Sequence, residues 1–233
     1  MIKGSVIIKN LSKKFKIGFI KKQSILGRIC TFLSGREPQK IIWVLKNLSF
    51  SAYPGEVLGI IGDNGSGKST LLRIIAGIYT PDSGTVETKG KIISLINLQL
   101  GLKGRLTMKE NIYLLGCLFG VSQSEIKKKF HKIVNFSGLE EFLETKIYQF
   151  SQGMRYRLFF SVAIHCNPDI LLFDEILEVG DENFKKKCEK KIKELAESGV
   201  LIIFVSHDLN LINKYCTRII KIESGKIISE NYK

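Results

Sequence analysis

Cysteine, proline, histidine and long apolar runs are all scarce in this chain of 233 residues, and each scarcity removes a class of protein. The five cysteines (Cys30, Cys117, Cys166, Cys188 and Cys216) are odd in number and scattered, with no C-x-x-C pair. A disulfide framework or a zinc site is therefore not expected, and a reducing compartment is. The three histidines form no metal-ligand cluster and no Ser-His-Asp arrangement. With four prolines and no repeat or low-complexity tract, the chain reads as one folded domain over 1–233. The longest apolar run, 200–205, falls far short of the about twenty residues a bilayer-spanning helix needs, so no membrane span is expected. The first fifteen residues lack the apolar core of a signal peptide, and none is expected. Acidic residues are few beside basic ones, 22 against 36, which leaves a net charge of +14. Such an excess points to an anionic partner: nucleic acid, an anionic membrane surface or phosphorylated ligands. Hydrophobic residues at 44% and charged residues at 25% exclude wholesale disorder.

Short apolar runs mark the expected strands. These lie at 6–8, at 43–50 before the turn Tyr53-Pro54-Gly55, at 57–61, around Val86 and Ile92, at 170–173 and at 200–205. The runs at 57–61, 170–173 and 200–205 are apolar throughout, as strands covered on both faces of a parallel sheet are. Between the last two, Phe184, Cys188, Ile192 and Leu195 recur at helical spacing, which completes a βαβ unit. Residues 107–164 read as mostly helical, and 218–229 as a hairpin around Ser224-Gly225. The stretch 12–40 carries eight basic residues and one acid, half of the net charge. Within it Ile25, Leu26, Ile29, Cys30 and Leu33 share a helical face. Two readings stay open: a basic amphipathic element that docks on a membrane partner or lipid surface, or a surface insertion packed on its own domain.

Gly62-Asp63-Asn64-Gly65-Ser66-Gly67-Lys68-Ser69-Thr70 follows one buried run and precedes an apolar helical pattern. It matches the phosphate-loop spacing G-x-x-x-x-G-K-[ST]. Glycines let successive amides curl around phosphates, and the next helix aims its positive end at them. Lys68 then supplies charge to the β- and γ-phosphates, and Ser69 a hydroxyl to Mg²⁺. The run at 170–173 ends in Asp174-Glu175. A carboxylate there is expected to hold the metal through Asp174, while Glu175 orients the attacking water. His207 closes the next strand and is expected beside the same phosphates, because parallel strands end together at the ligand edge. His131 and His165 read as structural.

These residues give the chain its resemblance to the nucleotide-binding subunit of an ABC transporter over essentially its whole length. The resemblance implies an α/β P-loop NTPase fold with a parallel core sheet, an antiparallel β subdomain and a helical subdomain at about 97–165. The family's signature element matches Phe150-Ser151-Gln152-Gly153-Met154, so that Ser151 and Gly153 contact the ATP held by the opposite subunit of a homodimer. Asp181 matches the aspartate of the D-loop, Phe15 the aromatic that stacks on adenine, and either Asn97 or Gln99 the Q-loop residue beside the metal. Gln152 and Met154 depart from the usual signature. That variant, with Asp174-Glu175-Ile176-Leu177-Glu178-Val179-Gly180-Asp181 and 106–112, is similar to exporters of polysaccharides such as O-antigen, capsule and teichoic acid. An Mg²⁺-dependent ATPase at the cytoplasmic face of the cell membrane is implied, working with separate transmembrane permease subunits on a glycan or lipid-linked glycan. Some relatives in that subgroup append a carbohydrate-binding domain, and none is expected within these 233 residues. Two other classes share the motifs: an ABC-type regulator of cell-wall enzymes, and an ABC ATPase acting on nucleic acid or ribosomes. The second usually carries long coiled coils or tandem cassettes, which this sequence lacks, so no nucleic-acid partner is expected.

Overall fold

The apolar runs become strands because their side chains find cover on both sides. The computed structural model describes residues 2–17, 40–96, 101–174, 181–207 and 209–232. The strands are β1 (Ser5–Ile17), β2 (Lys40–Ala52), β3 (Val57–Ile61), β4 (Ser83–Lys89), β5 (Ile92–Leu95), β6 (Ile170–Asp174), β7 (Leu201–Val205), β8 (Arg218–Glu223) and β9 (Lys226–Tyr232). The helices are α1 (Lys68–Ile75), α2 (Met108–Leu118), α3 (Gln123–Ser137), α4 (Gln152–His165), α5 (Glu182–Glu197) and α6 (Leu209–Tyr215). One sheet has the order β5-β6-β7-β3-β8-β9, parallel except for the final β8–β9 hairpin. The other, β2-β1-β4, is antiparallel.

Alternation along the parallel strands divides the core in two. Leu58, Ile60, Ile170, Leu172, Leu201 and Ile203 face the antiparallel sheet and the apolar side of α1. Leu171, Phe173, Ile202 and Phe204 point the other way, toward α4 and α5. There Phe173 and Phe204 stack with ring centroids 4.7 Å apart. The expected periodic face of α5 is buried through Phe184, Cys188, Ile192 and Leu195. Gly59 permits the close approach of α6, since a Cβ there would lie 2.9 Å from both Cys216 Sγ and Ile212 Cγ2.

The helical region expected at 107–164 is three helices, α2, α3 and α4, linked through two short 3-10 turns. Capping boxes start α2 and α3: Thr107 with Glu110, and Ser122 with Glu125, each satisfying two amides a helix start leaves free. Fully buried Asn111 accepts from Lys103 N at 2.8 Å, and its amide donates to the carbonyls of Lys103, Leu106 and Thr107. It thereby fixes the loop that enters α2. Cys166, Cys188 and Cys216 are buried and Cys117 is exposed, and none of the four forms a disulfide among the described residues. Burial pushes the thiol of Cys188 up to about 12 and that of Cys166 to about 11, so neither is a thiolate at neutral pH.

The basic stretch 12–40 differs from its expected form at its two ends. Residues 12–17 continue β1 and residue 40 begins β2, paired from Lys14↔Trp43 to Ile17↔Lys40. Lys13 is drawn into the domain, donating to Thr80 O at 2.8 Å and pairing with Asp82 at 3.2 Å. The stripe Ile25, Leu26, Ile29, Cys30 and Leu33 lies outside the described residues.

One buried cation ties the two sheets together. Arg218, 5% exposed, donates to Ser51 O at 2.7 Å, to Glu56 at 2.9 Å and to Glu230 at 2.8 Å. The bonds join the end of β2, the turn before β3 and strand β9. Arg218→Met takes the cation from the Glu56 carboxylate and leaves it, among the described residues, only the Tyr53 amide, a loss of about 3 kcal/mol. Urea unfolding should show that loss in Arg218→Met and a smaller one in Arg218→Met/Glu56→Gln; equal losses would mean the pair is not coupled.

Candidate functional site

A short buried strand that must release its chain into a helix creates the site. After β3, residues 62–67 turn sharply into α1, whose N-cap is Gly67 at φ 107°. A Cβ on Gly67 would meet Leu45 Cδ2 at 2.6 Å and Val44 O at 2.8 Å, so only glycine fits in both conformation and space. Among the described residues no side chain caps this helix start, which leaves its first amides for an outside acceptor. Lys68, 5% exposed, folds back over the loop and donates to Gly62 O at 2.7 Å and Asp63 O at 2.9 Å. The Ser66 hydroxyl is buried and, among the described residues, has no hydrogen-bond partner. A buried orphan hydroxyl beside free amides and an ammonium is the donor set that a phosphate satisfies.

The carboxylate reaches the loop across the sheet. Asp174 ends β6 opposite Val205 of β7, which stands opposite Ile60 of β3. Parallel pairing therefore delivers all three strand ends to one edge. Ser69 Oγ donates to Asp174 Oδ1 at 3.2 Å. Two hard oxygen ligands at this separation suit Mg²⁺ rather than a thiophilic metal. His207 follows β7 at the same edge and is exposed. Asn64, Gly65, Gly67, Lys68, Ser69, Thr70 and Asp174 line a cavity of about 760 Å³. Phe15 lines it too, so a distant aromatic of β1 and the phosphate loop open on one space. Glu175, Asn97 and Gln99 lie outside the described residues.

Tyr79 and Arg73 complete the cavity wall and were not singled out in the sequence. Tyr79 meets Phe15 edge to face, with centroids 5.7 Å apart, and Arg73 lies over the Tyr79 ring at 6.0 Å. Arg73 stands four residues beyond Ser69, one helical turn along the same face, but the phosphate-loop motif ends before it and carries no signal for it.

The signature residues stand elsewhere. Ser151 is the N-cap of α4, as expected, and accepts from Met154 N at 3.2 Å. Gly153 leaves open space around its Cα, with Ser151 Oγ 3.8 Å from a built Cβ. Asp181 is the N-cap of α5; it accepts from Phe184 N at 2.7 Å and pairs with Arg157 at 3.1 Å. The Phe184 amide and then the Arg157 charge hold its carboxyl below the usual carboxylate range. Ser151, Gly153 and Asp181 do not line the phosphate cavity of their own chain. His165 is structural, with Nδ1 2.7 Å from Ser161 O and its pKa lowered by burial. Among the described residues no cluster of three or more His, Cys, Asp or Glu could hold a metal.

Known proteins share this arrangement. Residues 45–178 match the model of the ABC transporter family. The teichoic acids export ATP-binding protein TagH of Listeria innocua is 40% identical over 222 residues, which cover 95% of this chain and 65% of that protein. For its namesake in Staphylococcus haemolyticus the identity is 40%, with 96% and 83% covered. For that of Bacillus anthracis it is 42%, with 79% and 34% covered. The chain thus spans less than two thirds of the Listeria and Bacillus relatives. A dimeric ATP-binding cassette in a post-hydrolysis state, bound to ADP and Pi, superposes with a TM-score of 0.79 at 27% identity, covering 97% of this chain and 98% of that one. Another dimeric structure of that same cassette, described as a bacterial ABC transporter cassette, gives 0.77 at 26%, with the same coverage.

The orphan hydroxyl yields a test of the cradle. Removing an unpartnered buried hydroxyl relieves a cost of about 1 kcal/mol or more, so Ser66→Ala should leave ligand-free stability unchanged or raised. Thermal unfolding of the ligand-free protein checks this. A clear loss of stability would show that the hydroxyl has a protein partner and is not held for an anion.

Proposed function

Because this chain belongs to the ABC transporter family, we propose that it binds and hydrolyses ATP to drive export of a polysaccharide or lipid-linked glycan of the teichoic-acid kind. In this reading it works as a homodimer at the cytoplasmic face of the membrane, with separate transmembrane permease subunits. The meeting of Lys68, Ser69 and Asp174 at one sheet edge carries the ATPase reading. The glycan class rests on the relatives named for teichoic acid export. Among the described residues no helix is long and apolar enough to cross a membrane, which accords with permease subunits on other chains.

Each residue has a task in that reaction. The free amides at the start of α1 and the Ser66 hydroxyl receive the β-phosphate, and Lys68 exchanges the carbonyls of Gly62 and Asp63 for phosphate oxygens. Gly62, Asp63, Asn64, Gly65, Gly67 and Thr70 shape the loop around the phosphates. Ser69 and Asp174 hold Mg²⁺, which when bound neutralises charge on the β- and γ-phosphates. Phe15, flanked by Tyr79, offers its ring to the adenine. Glu175, next after Asp174 in the chain, takes the role of polarising the attacking water, and His207 that of contacting the γ-phosphate. Either Asn97 or Gln99 serves as the Q-loop residue beside the metal. Ser151, Gly153 and Asp181 act across the dimer, which accords with their not lining the cavity of their own chain.

Lys68→Ala should lower Mg²⁺-dependent ATP turnover by about 100-fold, the scale of losing a fixed charge on the transferred group. Undiminished turnover in protein freed of contaminating ATPases would sink the assignment. Glu175→Gln keeps the shape and removes the base, so ATP should bind uncleaved and bridge two chains. Sedimentation should then show monomer converting to dimer on addition of ATP, and an unchanged coefficient would count against the shared site.

A further inference from the structure

The outer ends of β1 and β2 present a surface that the nucleotide site does not use. Opposed residues of an antiparallel pair share a face, and so do residues two apart. The register Lys14↔Trp43 and Lys16↔Ile41 therefore puts Lys14, Lys16, Ile41 and Trp43 on one side. Phe15 and Ile42, paired with each other, take the opposite side, where Phe15 lines the phosphate cavity. Trp43 is 43% and Ile41 49% exposed, high values for large apolar side chains. The Lys14 ammonium lies 5.2 Å from the centre of the Trp43 ring. On the same side Lys16 is exposed, while Ile17 and Lys40, paired with each other at the strand end, belong to the Phe15 side. Among the described residues no carboxylate forms an ion pair with Lys14, Lys16 or Lys40.

We propose that this face of the β1–β2 pair rests on an anionic phospholipid surface, with Trp43 and Ile41 at the boundary between headgroups and acyl chains and Lys14 and Lys16 on the headgroup phosphates. Two apolar groups interleaved with ammonium ions on an open sheet face make no groove for a partner's side chain. They do match a lipid boundary, where an indole settles at headgroup level and lysine stems lie along apolar surface with the charge outward. The charge complements an anionic leaflet, and the whole chain is +14. The exporter reading enters only in bringing the chain beside a membrane. Vesicle binding and ATP turnover are separate measurements, so either can fail alone.

Trp43 is the one tryptophan of the chain and reports on the surface without a label. The 233-residue chain, with Mg²⁺ and ATP omitted, is titrated with vesicles of phosphatidylcholine alone or mixed with phosphatidylglycerol. The mixed vesicles should shift Trp43 emission to the blue, and brominated acyl chains should quench it, while phosphatidylcholine alone does neither. Lys14→Ser/Lys16→Ser should weaken partitioning roughly 25-fold, at about fivefold for each basic residue near an anionic leaflet, with ATP turnover in solution unchanged. Co-sedimentation with unshifted, unquenched Trp43 would overturn the proposal, since the protein would then bind through another basic face. So would a blue shift with polyglutamate and none with vesicles, which would assign the patch to an acidic protein partner. Unchanged partitioning of a folded double variant, its fold checked by circular dichroism, would overturn it as well.

Discussion

An ammonium ion with little exposure to water must be surrounded by oxygen, and the geometry around Lys68 follows from that demand. The side chain is 5% exposed and meets its need with the carbonyls of Gly62 and Asp63. Those carbonyls are available because the loop turns tightly enough to bring residues five and six positions away back over the helix start. The turn in turn requires Gly67, where any side chain would strike β2. Neutral carbonyls offset burial of a charge less well than an anion does. The loop is thus a cradle in which, among the described residues, the lysine, the Ser66 hydroxyl and the uncapped amides of α1 all fall short of full satisfaction. A phosphate supplies what each lacks.

Everything else holds that cradle against the rest of the site. Parallel pairing of β6, β7 and β3 carries Asp174 to Ser69, and cover on both faces of these strands leaves only their ends for chemistry. The antiparallel sheet brings Phe15 to the same cavity and is fastened to the parallel one by Arg218. On the other side Arg157 is the corresponding fastening. It donates to Ser137 O at 2.8 Å and Gly138 O at 3.2 Å at the end of α3, pairs with Asp181 at the start of α5, and lies over the Phe184 ring. The helix that begins after Ser151 is thereby tied to the start of α5.

Sequence legibility followed the range of the interactions. The strands at 57–61, 170–173 and 200–205 were readable because burial on both faces leaves an unmistakable local run, and the phosphate loop because its chemistry is contiguous. Ser151 as an N-cap was equally local. The strand character of residues 12–17 was not readable. Lys13, Lys14 and Lys16 read as the start of the basic insertion at 12–40, and only pairing with β2 and the Asp82 contact make them strand. Tyr79 and Arg73 join the cavity through tertiary contacts that no spacing rule of the loop contains. Asn111 stood within a recognised segment, yet its task in holding the 103–107 loop appears only when four partners converge on one side chain.

A crystal structure of the protein with Mg²⁺ and a non-hydrolysable ATP analogue tests the central claim most directly. The account predicts that Lys68 Nζ leaves the carbonyls of Gly62 and Asp63 for β- and γ-phosphate oxygens, that Ser66 Oγ gains a phosphate partner, and that Ser69 and Asp174 face one Mg²⁺. Nucleotide bound elsewhere, with Lys68 still on the two carbonyls and Ser66 still unpartnered, would contradict it.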